Sequence, residues 1–175
     1  MKNAEAAEFH DFVTARWARL VRTAYLLTGD RHHAEDLTQT TLVRVYQGWN
    51  RVRASESPDA YVHKIMVRCN ASRFRKRRVT EHLGDPPDNG VADATDQVAH
   101  RRALVAALQE LPKRQRAVVV LRFWSDLTER ETAEVLGCST GTVKSQTHRA
   151  LLRLRQHPAL IAAAHEELTM GVTNS

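Results

Sequence analysis

Glycine and proline are scarce in this chain of 175 residues, which contains 7 Gly and 5 Pro. An architecture of strands and tight turns needs more of both, so their scarcity argues against a β fold. Disorder is also disfavoured, because the hydrophobic fraction of 42% and the charged fraction of 26% are ordinary for a soluble globular protein. The composition therefore favours an all-α fold.

Cysteines are few, and long apolar runs are missing. Cys69 and Cys138 lie far apart, match no metal-ligand spacing and are too few for a disulfide framework. They are interpreted as two reduced thiols. No apolar run is long enough to cross a bilayer, and residues 1–7 lack the basic start and apolar stretch of a leader. We therefore expect a cytoplasmic protein without membrane insertion.

Patterns typical of enzymes are absent as well. The sequence contains no nucleophile elbow, no Gly-rich phosphate loop and no cluster of metal-binding carboxylates. His32 and His33 lie near Glu35, but their spacing matches no known metal site, so surface histidines are the better interpretation. We expect no catalytic residue, no metal and no cofactor.

Positive charge is plentiful but unevenly distributed. The formal net charge is +6, yet residues 80–97 contain five acidic residues and no Lys or Arg. Removing this segment's charge of −5 leaves +11 on the rest of the chain. Two prolines and two glycines break any helix there, so 80–97 is predicted to be a flexible acidic linker between two small domains. Such a charge indicates a polyanionic partner, either nucleic acid or an acidic membrane face.

The residues before the linker predict three amphipathic helices. Apolar positions recur at steps of three and four over 9–27, and the first helix stops near Gly29. Asp30 is placed to cap the second helix. Its predicted inward residues are Ala34, Leu37, Thr41, Leu42, Val45 and Trp49. Ser57, followed by proline, begins the third helix, which runs to about Arg78. Its predicted inward residues are Tyr61, Ile65 and Cys69.

The third helix carries a strongly basic segment. Residues 64–78 contain seven Lys or Arg and no acid, with Phe74 set among them. Such a helix could bind phosphates while its aromatic and amide groups meet unstacked bases. A solvated charge run is the alternative interpretation. The inward Tyr61 and Ile65 favour a docked helix.

After the linker, a helix is predicted with Leu104, Ala107, Leu108 and Leu111 facing the core. Pro112 starts another helix, which carries Val118, Val119 and Leu121. Residues 127–154, LTERETAEVLGCSTGTVKSQTHRALLRL, then have the layout of a helix-turn-helix. Thr128 and Glu131 are placed to form a capping box.

The turn and the second helix of this motif carry residues that suit a helix-turn-helix. Ala133 is small where two helices must approach, and Gly137 can adopt the positive φ of a tight turn. Ser139 can cap the second helix, and Val143 can seat it on the first. The exposed polar residues suit the base edges and phosphates of a major groove. They are Ser139, Thr140, Thr142, Lys144, Ser145, Gln146, His148 and Arg149. An ordinary helical hairpin with a solvated polar face is the alternative.

Three stretches together resemble an extracytoplasmic-function (ECF) sigma factor, a sigma-70 family member reduced to regions 2 and 4. LTGDRHHAEDLTQTTLVRVYQGW and SPDAYVHKIMVRCNASRFRKRR are similar to the two halves of region 2. LPKRQRAVVVLRFWSDLTERETAEVLGCSTGTVKSQTHRALLRLR is similar to region 4. The details are similar to the actinobacterial SigE-like group. The resemblance implies region 2 at 8–79, region 4 at 98–157 and an extension at 158–175, to which we assign no function.

The resemblance also implies a division of labour. The helix that includes residues 34–49 should bind the clamp coiled coil of the largest subunit of RNA polymerase, and the polymerase flap is a further expected contact. The expected clamp-contacting residues are Glu35, Asp36, Gln39, Thr40 and Val43. The loop 51–57 and the basic helix should recognise the −10 element and hold its melted strand. The residues expected to do so are Ser55, Lys64, Arg68, Asn70, Arg73, Arg75 and Arg77. The helix-turn-helix should read the −35 element as duplex.

One departure from the family and three partner expectations complete the prediction. Many relatives carry Asn where this chain has Arg68. Promoter DNA and core polymerase are the expected partners of a chain that is monomeric when free, and many relatives are held inactive by an anti-sigma factor.

The residues leave two rival functions open. One is a free-standing helix-turn-helix repressor that binds duplex DNA unaided. The other is a nucleic-acid enzyme, which would need metal-binding carboxylates.

Overall fold

A computed structural model describes residues 2–80 and 96–164, with side chains at 4–73 and 98–164. Within these ranges the chain is helical and contains no strand. No helix there is long and apolar enough to cross a membrane. Most of the predicted linker, Arg75 and Arg77, and residues 165–175 of the extension lie outside the described residues or side chains.

The first block forms four helices rather than the predicted three. They are α1 (Lys2–Thr28), α2 (Arg31–Gln47), α3 (Trp49–Arg53) and α4 (Pro58–Thr80). The short α3 occupies part of the segment predicted as a loop. It forms because Trp49 and Val52 are buried, and because the Trp49 ring packs edge-on against the rings of Phe9 and Phe12.

The predicted helix boundaries of this block are confirmed by local hydrogen bonds. Gly29 ends α1 with φ +75°, and its N–H donates to the Tyr25 carbonyl at 2.7 Å. The Asp30 carboxylate accepts from the His33 N–H at 2.7 Å and so caps α2. The Ser57 hydroxyl accepts from the Ala60 N–H at 3.3 Å at the start of α4.

The inward face was predicted correctly for α2 but only in part for α4. All six residues predicted for that face are buried, but Trp49 lies in α3, because α2 ends at Gln47. In α4, Cys69 is buried as predicted, while Tyr61 and Ile65 are half-buried. The other buried residues of this helix are Ala60, Val62, His63 and Met66. The difference arises because α4 packs against α2 on one side and against the second block on another, which a single-helix pattern does not show.

The second block contains α5 (Asp96–Glu110), α6 (Lys113–Val119), a π-helix (Val120–Trp124), α7 (Glu129–Leu136) and α8 (Thr140–Arg155). Two features differ from the prediction. Leu104 is exposed, and Val105 is buried instead. The helix that begins after Pro112 changes from α to π at Val120, where the Ser125 N–H donates to the Val120 carbonyl at 3.0 Å.

The two domains pack directly against each other. Leu20 and Leu27 of α1 belong to one hydrophobic cluster with Val105, Leu108 and Val120 of the second block. The sequence predicted two domains on a tether and not this contact. Apolar residues from both domains therefore form a shared core.

Candidate nucleic-acid interface

The helix-turn-helix begins with the predicted capping box. The Thr128 hydroxyl accepts from the Glu131 N–H at 3.2 Å, and the Glu131 carboxylate accepts from the Thr128 N–H at 2.8 Å. These hydrogen bonds, first among them the one from the Thr128 backbone, hold the pKa of Glu131 below its usual value. The first turn of α7 is therefore fixed.

The turn between α7 and α8 is also as predicted. Gly137 adopts the left-handed conformation with φ 63° and ψ 46°. The Ser139 hydroxyl then accepts from the Thr142 N–H at 3.1 Å and caps α8. Val143 is fully buried in a cluster with Ala133 of α7 and Val118 of α6. This packing fixes the angle at which α8 is presented.

All the predicted −35 residues lie on the outward side of α8 or at its cap. Six are exposed, and Thr142 and Gln146 are half-buried. The Thr142 and Ser139 hydroxyls share a hydrogen bond of 2.9 Å. Lys144 Nζ lies 3.6 Å from the Glu129 carboxylate of α7, an exposed pair that contributes little to stability. This surface therefore offers donors and acceptors near the N-terminal end of a helix, as base-edge recognition requires.

A second basic surface lies between the end of α2, α3 and α4. It is a groove of about 400 Å³, which we call the basic groove. Four cations line it: Arg44, Arg51, Lys64 and Arg68. Gln47, Gly48, Tyr61 and Ile65 complete its walls. The sequence predicted Lys64 and Arg68 but missed Arg44 and Gln47, because only the packing of α2 against α4 brings them there.

The other predicted −10 residues are not brought to this groove. Ser55 lines a neighbouring pocket together with Lys64. Asn70 lines a cavity between α4 and the second domain, and Arg73 Nη1 pairs with Asp36 Oδ2 at 2.7 Å. A helix turns about 100° per residue, so positions 70 and 73 lie on the opposite side of α4 from Lys64 and Arg68.

The predicted polymerase surface lies on the outward side of α2. Asp36, Gln39 and Val43 are exposed, and Glu35 and Thr40 are half-buried. Tyr46, which is not among the predicted residues, is 57% exposed beside Val43 at 58%. Two exposed apolar side chains one helical turn apart, within a polar surface, are typical of a contact for another protein.

Metal binding finds no support in the described side chains. Among residues 4–73 and 98–164, no group of three or more His, Cys, Asp or Glu side chains could hold a metal ion.

The fold has solved counterparts. The chain resembles the sigma factor RpoE from Bartonella quintana, solved in complex with the anti-sigma factor NepR, with a TM-score of 0.69 and 24% identity. The match covers 85% of this chain and 95% of that one. At this identity the likeness concerns the fold alone.

The sequence comparisons go further. Residues 12–80 match Sigma-70 region 2, and residues 101–154 match Sigma-70, region 4. The chain is 42% identical to an RNA polymerase sigma-E factor of Streptomyces avermitilis, over 89% of this chain and 88% of that protein. It is 41% identical to the corresponding factor of Streptomyces coelicolor, over 87% and 86%. The chain therefore belongs to the extracytoplasmic-function sigma factors of the sigma-70 family.

Proposed function

We propose that this promoter-recognising sigma factor uses three separate surfaces: α8 for the −35 element, the basic groove for the melted −10 strand, and the outward side of α2 for core polymerase. The observation that carries the proposal is the presence of two basic surfaces of different shape, one in each domain. A protruding capped helix suits duplex DNA, and a groove lined by cations and one aromatic ring suits an unstacked strand. The free-standing repressor that the sequence left open finds no support, because the first domain is a sigma region 2.

At the −35 element, α8 enters the major groove by its N-terminal end. The cap at Ser139 leaves the hydroxyl and amide groups of the first two turns facing outward, where they meet base edges. Lys144 and Arg149 then bind phosphates on the two sides of the groove. Because phosphate contacts dominate affinity, this binding weakens steeply with salt.

At the −10 element, the groove retains a strand that has left the duplex. Unpairing and unstacking a base costs a few kcal/mol, which contacts to the single strand must offset. The cations of the groove bind its phosphates, and the half-buried Tyr61 ring provides a face for stacking, worth about 1–3 kcal/mol per base. Arg68, at a position that is often Asn in relatives, adds a phosphate contact.

Core polymerase docks on α2 through the five predicted residues, with Val43 and Tyr46 as its apolar centre, and the flap contacts region 4. The protein itself catalyses no covalent step and needs no cofactor; it positions the polymerase in the cytoplasm, where promoter DNA lies. The solved relative's complex with NepR supports an anti-sigma factor as a further partner.

The first experiment separates the −35 and polymerase surfaces. Promoters are located by mapping transcript starts after overexpression, and run-off transcription is then measured with core polymerase. Lys144→Ala/Arg149→Ala should reduce transcription from −35-dependent promoters while leaving polymerase pull-down intact. Asp36→Ala/Gln39→Ala should abolish pull-down, whereas Arg31→Ala on the same helix should not. If pull-down survives the loss of Asp36 and Gln39, the polymerase surface is misplaced.

The second experiment tests the groove. Lys64→Ala/Arg68→Ala should lower the yield of open complexes, measured by permanganate reactivity of unpaired thymines, with normal −35 footprints. Arg73→Ala removes one positive charge from the other side of α4 and is the control; because Arg73 pairs with Asp36 of the polymerase surface, polymerase pull-down is measured for it in parallel. Equal effects of the two changes would contradict the assignment of the groove to the −10 strand.

A further inference from the structure

A further cavity of region 2 lies between the first turns of α1 and the junction of α2 with α3. Its volume is about 630 Å³, against about 400 Å³ for the basic groove. Its walls include Glu5 of α1, Tyr46 of α2, and Trp49 and Asn50 of α3, and we call it the α1 cavity. Proteins bind small organic groups in cavities of about 300–1,000 Å³, so this one has room for a single base.

The α1 cavity shares one wall with the basic groove. Gln47, Gly48 and Arg51 line both of them. Gly48 adds no side chain to this wall, and Arg51 is exposed. A strand that lies in the basic groove therefore passes beside the α1 cavity, with Arg51 placed to bind the phosphate where it crosses.

Tyr46 presents an aromatic ring at the cavity. The centroid of the Phe9 ring lies 5.0 Å from that of Tyr46 and 5.3 Å from that of Trp49, so Phe9 packs against both. Tyr46 is nevertheless 57% exposed. A base that leaves the duplex loses its stacking partners, and an aromatic side chain replaces them whatever the base. This wall therefore suits an unstacked base.

Trp49 contributes an unpaired hydrogen-bond donor to the same wall. Its side chain is buried, and its Nε1 has no hydrogen-bond partner within the part of the chain that the structure describes. A buried N–H without an acceptor is unfavourable, and such groups are rare in folded proteins. A ligand that brings an acceptor to this wall removes that cost.

Glu5 determines which base fits best. Its carboxylate is half-buried in the wall and has no ion-pair partner among the described side chains. A carboxylate only accepts hydrogen bonds. Guanine has two adjacent donors on its Watson–Crick edge, one for each carboxylate oxygen, with the O6 acceptor beside them. Adenine, cytosine and thymine each place an acceptor next to their donor, which a carboxylate repels.

From this geometry we propose that the α1 cavity binds one unpaired guanine of the melted strand, next to the segment held in the basic groove. Glu5 accepts from its Watson–Crick edge, Tyr46 stacks on its face, and Arg51 binds the adjoining phosphate. Tyr46 also borders the polymerase surface of α2, so the base and the polymerase lie on two sides of one ring. The inference rests on the proposed function of the basic groove and adds a site that reads one base.

A base scan with the holoenzyme tests this site. Core polymerase with the full chain is titrated against labelled promoter DNA with a preformed bubble, in which each unpaired position in turn carries guanine, inosine, thymine or no base. At one position guanine should bind about tenfold more tightly than thymine, as one bidentate pair provides. Inosine, which lacks the amino group, should fall between them.

Two neighbouring glutamates give the matched variants. Glu5→Gln replaces one of the two acceptors by a donor, so the preference for guanine should fall below about twofold. Glu8 lies one turn further along α1, pairs with Arg53 Nη1 at 3.0 Å and does not line the cavity. Glu8→Gln removes the same charge and should keep the tenfold preference.

The outcomes separate this site from the groove. Absence of a guanine preference at every position, or an equal preference in the native and Glu5→Gln chains, overturns the site. Weaker polymerase pull-down by Glu5→Gln, with no dependence on the base, overturns it as well, because the cavity would then bind polymerase. If Lys64→Ala/Arg68→Ala binds the bubble normally, the proposed function of the groove fails, and the Glu5-dependent preference is read separately from the base scan.

A photocross-link locates the base directly. 6-Thioguanine, placed at the position that the scan identifies, reacts on irradiation with the groups that it contacts. Peptide mapping of the holoenzyme should find the link in residues 5–9 or 46–51, which contain the cavity walls and Phe9. Links found only in other parts of the chain or in polymerase would refute the proposal.

Discussion

Replacement of Arg116 by methionine should cost about 3 kcal/mol of stability. The guanidinium is buried, and it donates to the carbonyls of Leu27, Leu108, Gln109 and Leu111 at 2.9, 2.8, 2.7 and 3.3 Å. Burial lowers the pKa of Arg116, which shows that its charge is held at a desolvation cost. A fifth hydrogen bond goes from the guanidinium to Gln109 Oε1. Each of the five is worth about 1 kcal/mol net, and relief of the desolvation cost offsets part of their sum of about 5 kcal/mol, which leaves about 3 kcal/mol.

Urea unfolding measures this loss, followed by circular dichroism and by tryptophan fluorescence. With an m-value of about 2 kcal/mol/M, a loss of 3 kcal/mol lowers the midpoint by about 1.5 M. Arg114, two residues earlier, is exposed and provides the matched control, since Arg114→Met should change stability by less than about 0.5 kcal/mol. Equal midpoints for the two variants would refute the claim that the Arg116 hydrogen bonds stabilise the fold.

Two other predictions concern the turn of the helix-turn-helix and a buried histidine. Gly137→Ala should destabilise the protein by about 1–2 kcal/mol because its φ is 63°, although no atom would lie within 4 Å of the added carbon. Gly141→Ala, inside α8, should instead stabilise it by up to about 1 kcal/mol, and thermal unfolding compares the two. Burial lowers the pKa of His63 despite a hydrogen bond to the Asp59 carbonyl. The unfolded chain therefore takes up this proton near pH 6.5 and the folded chain only at lower pH, so stability should fall as the pH drops below 6.5. His63→Gln should flatten that slope in urea titrations.

The sequence predicted the features that depend on neighbouring residues. The caps at Asp30, Ser57 and Ser139, the capping box and the left-handed Gly137 are all confirmed. Each involves groups within four residues of each other, so the local sequence contains both partners. The exposed polar face of α8 that we propose for the −35 element follows for the same reason, because one short helix with a known inward face carries it.

Features that depend on distant residues could not be predicted in this way. The short α3 forms because Trp49 packs against rings of α1, and Val105 replaces Leu104 in the core because of how α5 meets α1. Likewise, Arg44 lies beside Lys64 only because α2 and α4 are in contact. The packing of the two domains against each other is the largest feature that the sequence did not predict. The apolar periodicity of a helix shows which side is buried, but not which distant helix packs against it.

In the π-helix, the number of residues is more strongly constrained than their identity. A π-turn contains one residue more than an α-turn, and here the extra residue lies between α6 and the helix-turn-helix. Deleting any one residue of Val120–Trp124 would rotate α6 by about 100° relative to α7. Val118 would then no longer face Ala133 and Val143, with which it now packs. During divergence, substitutions that keep the buried side chains apolar should be tolerated here, whereas single-residue deletions should be rejected.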